Sequence, residues 1–160
     1  MSTSVLPARM LEPAAVRDLN RSAEQIPAEV GTARPSPLLF EPAGYRRLAH
    51  ELTEAFGGGI DVLIGAVGTG GALCGTAREL RRTIPHLITC GVEPDGSTAF
   101  GGPAHAYYQS GTGTPQGAQI GALVDFDPID QGVKAGDIEA FATCRAVART
   151  GLLVGGSAGG

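Results

Sequence analysis

A nearly all-apolar run, residues 60–67, passes directly into Gly68-Thr69-Gly70-Gly71 and then into an amphipathic stretch over 72–82. Few folds accept that order. A short apolar segment of this kind suits a strand covered on both faces, as in a parallel sheet. Glycines at its carboxyl end let the backbone turn sharply and come close to another group. A helix that opens there presents free backbone N–H groups and the positive end of its dipole. The unit predicts a strand, an anion-accepting turn and a helix, with phosphate as the natural guest. It is neither a P-loop, since no Gly-Lys-Ser/Thr follows, nor a strict GxGxxG, since Leu73 stands where a third glycine belongs.

The flanking sequence extends the same pattern. Residues 43–56 predict a helix with Tyr45, Leu48, Leu52, Ala55 and Phe56 on one face, ended by Gly57-Gly58-Gly59. The helix over 72–82 closes on basic residues that suit its C-terminal dipole. Residues 87–92 read as a second strand, ending at Glu93-Pro94. Residues 95–123 hold no periodic element, and a loop that long is functional or disordered. A short strand fits within 124–133. Asp137 is placed to cap a helix over 138–149, with Phe141, Cys144 and Ala148 on one face and Gly151 just past its end. Leu152-Leu153-Val154 reads as the start of another strand, and a glycine turn, Gly155-Gly156-Ser157-Ala158-Gly159, follows.

Strands alternating with helices predict an α/β fold: a three-layer parallel sheet with helices on both faces. Ligands in such sheets bind beyond the strands' carboxyl ends, so the Gly68 turn, Glu93 and the Gly155 turn are expected along one edge. Residues 1–40 read as a weakly structured segment and linker, with seven helical residues at 16–22 and a breaker-rich stretch at 31–37. Residues 41–160 read as one α/β domain, cut at its C-terminus where a covering helix is expected.

Composition narrows the partners. A formal charge of −4 and the lack of a basic run argue against a nucleic-acid partner. No apolar run approaches the ~20 residues of a membrane span, and residues 1–10 lack the apolar core of a signal peptide, so a cytoplasmic location is expected. Cys74, Cys90 and Cys144 have no metal-site spacing and read as small buried residues in a reducing compartment. Of the 12 basic residues 11 are arginine, which leaves Lys134 as the one candidate for any chemistry that needs an amine.

Three further motifs have competing readings. Glu93 lies about 20 residues past the glycines, where a ribose-binding acid would sit, so an NAD-binding Rossmann-type domain is one alternative. Gly155-Gly156-Ser157-Ala158-Gly159 matches the nucleophile elbow of serine hydrolases. In that fold the acid and histidine follow the serine, whereas His50, His86 and His105 all precede Ser157, so no such triad can form; a second anion-binding turn is the other reading. Gly111-Thr112-Gly113-Thr114-Pro115 suits either a mobile loop over a polar ligand or a plain linker, and Tyr107 and Tyr108 either stack on a ring or pack at the surface.

Taken in order, these motifs resemble the cysteine synthase and cystathionine β-synthase family, pyridoxal-phosphate enzymes of fold type II. The likeness covers residues 39–160. Residues 61–71 are similar to the family's strand and GTGGT phosphate loop; Gly91-Val92-Glu93-Pro94 with Ser97 to its VEP segment; residues 109–113 to its QGIG loop; residues 137–148 to the helix before its closing motif; and residues 151–159 to that motif. The resemblance implies a truncated fold-type-II large domain. Gly68, Thr69, Gly70 and Gly71 would bind the phosphate of pyridoxal 5'-phosphate. Gly111 and Gly113 would lie against the cofactor and an amino-acid substrate. The implied reaction is β-elimination and replacement on O-acetylserine or serine, with the pyridine ring as electron sink.

Departures limit what the resemblance implies. Ala72 stands where the phosphate loop usually ends in threonine, and the closing Ser-Ser pair is Ser157-Ala158. The family's cofactor-bearing lysine belongs to an early segment ahead of a TSGN loop, and neither is found in residues 1–40. Lys134, between Gly132 and Gly136, reads as a solvated loop residue, so no catalytic residue is assigned. The expectation is a family member without independent catalysis, alone or with a homodimer partner or complementing chain; the alternative is a non-catalytic module that binds a phosphate ligand or a partner.

Overall fold

The computed structural model describes residues 9–11, 42–118 and 124–160. Its elements are β1 (Arg9–Leu11), α1 (Arg46–Phe56), β2 (Val62–Ala66), α2 (Gly71–Leu80), β3 (Ile88–Pro94), β4 (Gln131–Ala135), α3 (Asp137–Ala148) and the single turn α4 (Gly156–Gly159). A 3-10 turn, Pro42–Tyr45, leads into α1. The sheet order is β1-β4-β3-β2. β2, β3 and β4 are parallel, and β1 lies antiparallel on the outer edge of β4, pairing Arg9 with Lys134.

A row of glycines crosses the sheet: Gly65 pairs with Gly91, and Gly91 with Gly132. The missing side chains leave room for two large neighbours. A Cβ on Gly65 would lie 3.0 Å from Leu73 Cδ1 of α2, and Cβ atoms on Gly91 and Gly132 would lie 2.7 and 3.0 Å from the ring of Phe100. Phe100 thus rests on backbone and joins Val67, Leu73, Cys74, Val124, Phe126 and Ile129 in one core cluster. A second cluster, Ala49, Leu80, Ile84 and Leu87, packs α1 against α2 and the start of β3. Leu63 packs against both clusters and links them.

Ionic contacts hold the far end of α2. The Arg81 guanidinium donates to Leu87 O at 3.2 Å and to the Asp130 carboxylate, which also accepts from Thr89 N at 2.7 Å. Arg78 pairs with Asp125 at 2.6 Å and Asp127 at 3.4 Å.

Several expectations are corrected. β2 is not covered on both faces: Val62 and Ile64 stay exposed, Ile64 by 65%, and only the Leu63 side meets the core. In α1 the buried contact comes from Ala49, while Leu48 and Phe56 remain exposed. Residues 152–154 form no strand; Leu152 and Leu153 are exposed, and no described strand pairs with them. β4 begins within the expected window but runs past it to include Lys134, which is a strand residue and not part of a solvated loop. Gly136, not Asp137, is the N-cap of α3, and Glu139 reaches back to Gly136 N at 3.3 Å. β1 was not anticipated, and the helical stretch expected at 16–22 lies outside the described residues.

Candidate functional site

The turn after β2 is built for close approach. Gly70 caps α2 with φ +77°, and a Cβ there would lie 3.0 Å from Val124 Cγ1. The first backbone bond of the helix runs from Cys74 N to Gly70 O at 2.8 Å. Helix geometry therefore leaves the N–H groups of Gly71, Ala72 and Leu73 directed out of the helix at this turn. Thr69 Oγ1 lies 3.5 Å from Gly71 N, at the limit of a hydrogen bond, so its hydroxyl is only lightly engaged.

The 111–113 loop is sewn to the same turn. Thr112 Oγ1 donates to Val67 O at 2.9 Å and Gly113 N donates to the same oxygen at 2.8 Å. Gly111 and Gly113 have φ of +90° and +84°, a backbone region that favours glycine. A Cβ on Gly68 would sit 3.7 Å from Gly111 O, and one on Gly111 would sit 3.9 Å from Ser157 Oγ. The Gly68, Gly111 and Gly155 turns therefore meet at one place. Beside them is a cleft of about 370 Å³, lined by Ile64, Gly65, Ala66, Val92, Ser157, Ala158 and Gly160.

Side chains anchor the loop from behind. Gln109, 1% exposed, donates to Ala135 O at 2.9 Å and Asp137 Oδ1 at 3.2 Å. Asp137 also accepts from Tyr108 N at 2.9 Å, the use its carboxylate has in place of capping α3. Tyr108 is otherwise exposed. The Tyr107 hydroxyl stands against Gly113, where a Cβ would lie 2.7 Å from its oxygen. Burial, and then the nearby Glu93 carboxylate, push the Tyr107 phenol above its ordinary range. Burial also drives the Cys74 thiol up to about 12, with Asp125 adding to it.

Glu93 lies at this edge, near the end of β3, but its carboxylate is turned inward and fully partnered. Its side chain is buried, with Oε1 accepting from Lys134 Nζ at 2.7 Å and Phe100 N at 2.9 Å. Oε2 accepts from Ala99 N at 3.0 Å and from Ser97 Oγ. No oxygen is left for a ribose, which removes the basis of the dinucleotide reading. Lys134 Nζ donates also to Ser97 O at 2.5 Å. Ser97 and Thr112 stand inside motifs legible in the sequence, but their distant partners, Thr114 N and Val67 O, are not written in local sequence.

These features define an α/β protein whose parallel sheet carries three glycine-built turns gathered beyond its carboxyl edge. The pyridoxal-phosphate dependent enzyme family matches residues 15–160, and the chain belongs to it. A provisionally named cysteine synthase of Sinorhizobium fredii is 45% identical over 145 residues, 86% of this chain and 43% of that protein. The solved O-acetylserine dependent cystathionine β-synthase of Helicobacter pylori superposes with a TM-score of 0.65 at 33% identity, covering 90% of this chain and 46% of that one. A hydrogen sulfide-producing enzyme of Fusobacterium nucleatum superposes with a TM-score of 0.66 at 30% identity, over 74% of this chain and 40% of its own. The chain spans less than half the length of these relatives.

The family's cofactor is pyridoxal 5'-phosphate. The turn at Gly68 fits its phosphate: N–H groups at a helix start, a lightly held hydroxyl, and a left-handed Gly70 packed on Val124 that sets the turn. The amine that the resemblance requires is not supplied in the same way. Lys134 spends two of its three N–H donors on Glu93 and Ser97 O. Among the described residues no helix is long and apolar enough to cross a membrane.

Proposed function

We propose that this chain carries the phosphate-holding half of a cysteine synthase-like site. Gly68, Thr69, Gly70 and Gly71 hold the phosphate of pyridoxal 5'-phosphate through backbone N–H groups and the Thr69 hydroxyl. Gly111 and Gly113 lie against the cofactor and an amino-acid substrate. The observation that carries this reading is the bonding of Thr112 Oγ1 and Gly113 N to Val67 O, which brings both glycine turns together. When bound, the cofactor supplies an electron sink for β-elimination and replacement on O-acetylserine or serine. O-acetylserine is favoured by the name of the Helicobacter pylori relative. The chain's own share is to hold the anion and set the approach of the loop.

In this reading the 160 residues alone do not catalyse, because the required amine comes from outside them. The remainder of a longer polypeptide or a complementing chain would provide it. The exposed Val62 and Ile64 face of β2, at the sheet edge, suits such an association or a homodimer. Titration with pyridoxal phosphate, followed by absorbance, borohydride reduction and peptide mapping, tests both parts. Saturable binding with no reduced adduct on Lys134, and no cysteine from O-acetylserine and sulfide, is the expected result. An adduct on Lys134, or cysteine formed by the purified chain, overturns the claim about catalysis. Failure to bind pyridoxal phosphate overturns the phosphate site.

A further inference from the structure

We propose that Lys134, Glu93 and Ser97 form a positioning relay that sets the 111–113 loop against the Gly68 turn. The chain's one lysine then serves the site through a carboxylate, without touching the cofactor. The functional half of this inference rests on the reading above, that the loop lies against the cofactor.

Glu93 and Lys134 are register partners on parallel strands, so their side chains leave the same face of the sheet side by side. The ammonium bonds the carboxylate at 2.7 Å, and the carboxylate gathers the turn after β3 through the N–H groups of Ala99 and Phe100. An ionised carboxylate only accepts, so Ser97 Oγ must spend its single proton on Glu93. The serine lone pairs then face outward and accept from Thr114 N at 2.7 Å. Thr98 reinforces the junction, donating to Thr114 O from its N–H at 2.9 Å and its hydroxyl at 3.1 Å. One residue earlier, the chain turns onto Val67 O through Gly113 N and Thr112 Oγ1. The loop is thus pinned at 112–113 to the residue before Gly68 and at 114 to the ion pair. Through Ser97 the ion pair passes a directed hydrogen bond to the backbone of the candidate loop.

The test uses the full 160-residue chain with Ser97→Ala, Lys134→Met and Lys134→Arg. Amide exchange is read at 111–114, with β2 as an internal reference for global unfolding. Pyridoxal phosphate and inorganic phosphate are titrated separately. Ser97→Ala should speed exchange at 111–114 relative to β2 by about tenfold, the scale of one lost hydrogen bond. It should weaken pyridoxal phosphate by a similar factor and leave inorganic phosphate nearly unchanged. Lys134→Met should act in the same direction, and Lys134→Arg should recover part of the loss. Exchange at 111–114 that keeps pace with β2 in Ser97→Ala overturns the relay, even if Lys134→Met does not fold. Altered exchange with unchanged pyridoxal phosphate affinity overturns its functional role. A wild-type chain that binds neither ligand refutes the phosphate site, while the exchange data still decide the relay.

Discussion

Replacing Gly91 with alanine tests whether the glycine row is what lets Phe100 close the core. The added carbon would lie 2.7 Å from Phe100 Cζ, 3.3 Å from Cε2 and 3.0 Å from Val67 Cγ2. Carbon atoms pack best at about 3.5–4.0 Å, so the ring must retreat by roughly 1 Å. Sliding along the sheet does not help, because the ring also covers Gly132, where a Cβ would lie 3.0 Å from Cγ. Away from the sheet it meets Phe126 edge-on, with centroids 6.0 Å apart. Overpacking of this kind costs about 1–3 kcal/mol, and a ring hemmed on three sides belongs at the upper end. Lower chain entropy of alanine returns about 0.5–1 kcal/mol, so the net loss is about 2 kcal/mol. Urea unfolding followed by far-UV circular dichroism measures it in a chain that has no tryptophan. Combining Gly91→Ala with Phe100→Leu should show a favourable coupling of about 1 kcal/mol. A Gly91→Ala chain as stable as wild type, or a double variant with no coupling, refutes the packing argument.

Other sites give independent tests. Gly70→Ala places a side chain at φ +77° and against Val124, so it should destabilise by about 2 kcal/mol; thermal melting checks this, and a phosphate titration should show the Gly68 turn impaired. Lys134→Met leaves the Glu93 carboxylate buried without its cation, at a cost of about 3 kcal/mol; in urea unfolding, Glu93→Gln/Lys134→Met should be more stable than Lys134→Met alone. The Cys74 thiol is raised from 9.0 to about 12, so the stability conferred by its neutral form is full below pH 9 and is lost as pH rises to about 12. Native chain should resist thiol labelling at Cys74 at pH 8, and Cys74→Ala should flatten the alkaline fall in stability. Rapid labelling of native Cys74 at pH 8 would refute its assigned environment.

What was legible in the sequence is what local chemistry decides. The run into Gly68-Thr69-Gly70-Gly71 specified a strand, a tight glycine turn and a helix start, and β2, the turn and α2 follow that order. The stretch 111–115 reads equally as a ligand loop or a linker in sequence, and only the bonds to Val67 O place it beside Gly68. The errors fall where a distant partner decides. Residues 9–11 are a strand only because β4 offers an edge more than 120 positions away. Leu152-Leu153-Val154 has strand-like composition, yet no described strand pairs with it. Lys134 looked solvated beside its glycines, but its partner Glu93 is 41 positions earlier in the chain.

In the proposed reading, that last pair lets one chain hold an anion at the Gly68 turn while its one lysine is held elsewhere. In that reading the anion's donors are the helix-start N–H groups at Gly71–Leu73, and the loop is held to Val67 O by the Gly113 N–H and the Thr112 hydroxyl. Main-chain donors survive any change of side chain that leaves the backbone in place, and they need no ionised group to hold an anion. The ionised groups lie one layer behind, where Lys134 and Glu93 neutralise each other and set the turn through Ser97. On the proposed reading, holding phosphate and supplying an amine are therefore separable. The first would depend on where the glycines fall along 68–71 and 111–113. The second depends on a side chain that must stand free at the cleft, and Lys134 cannot leave its carboxylate without exposing an unpaired buried charge.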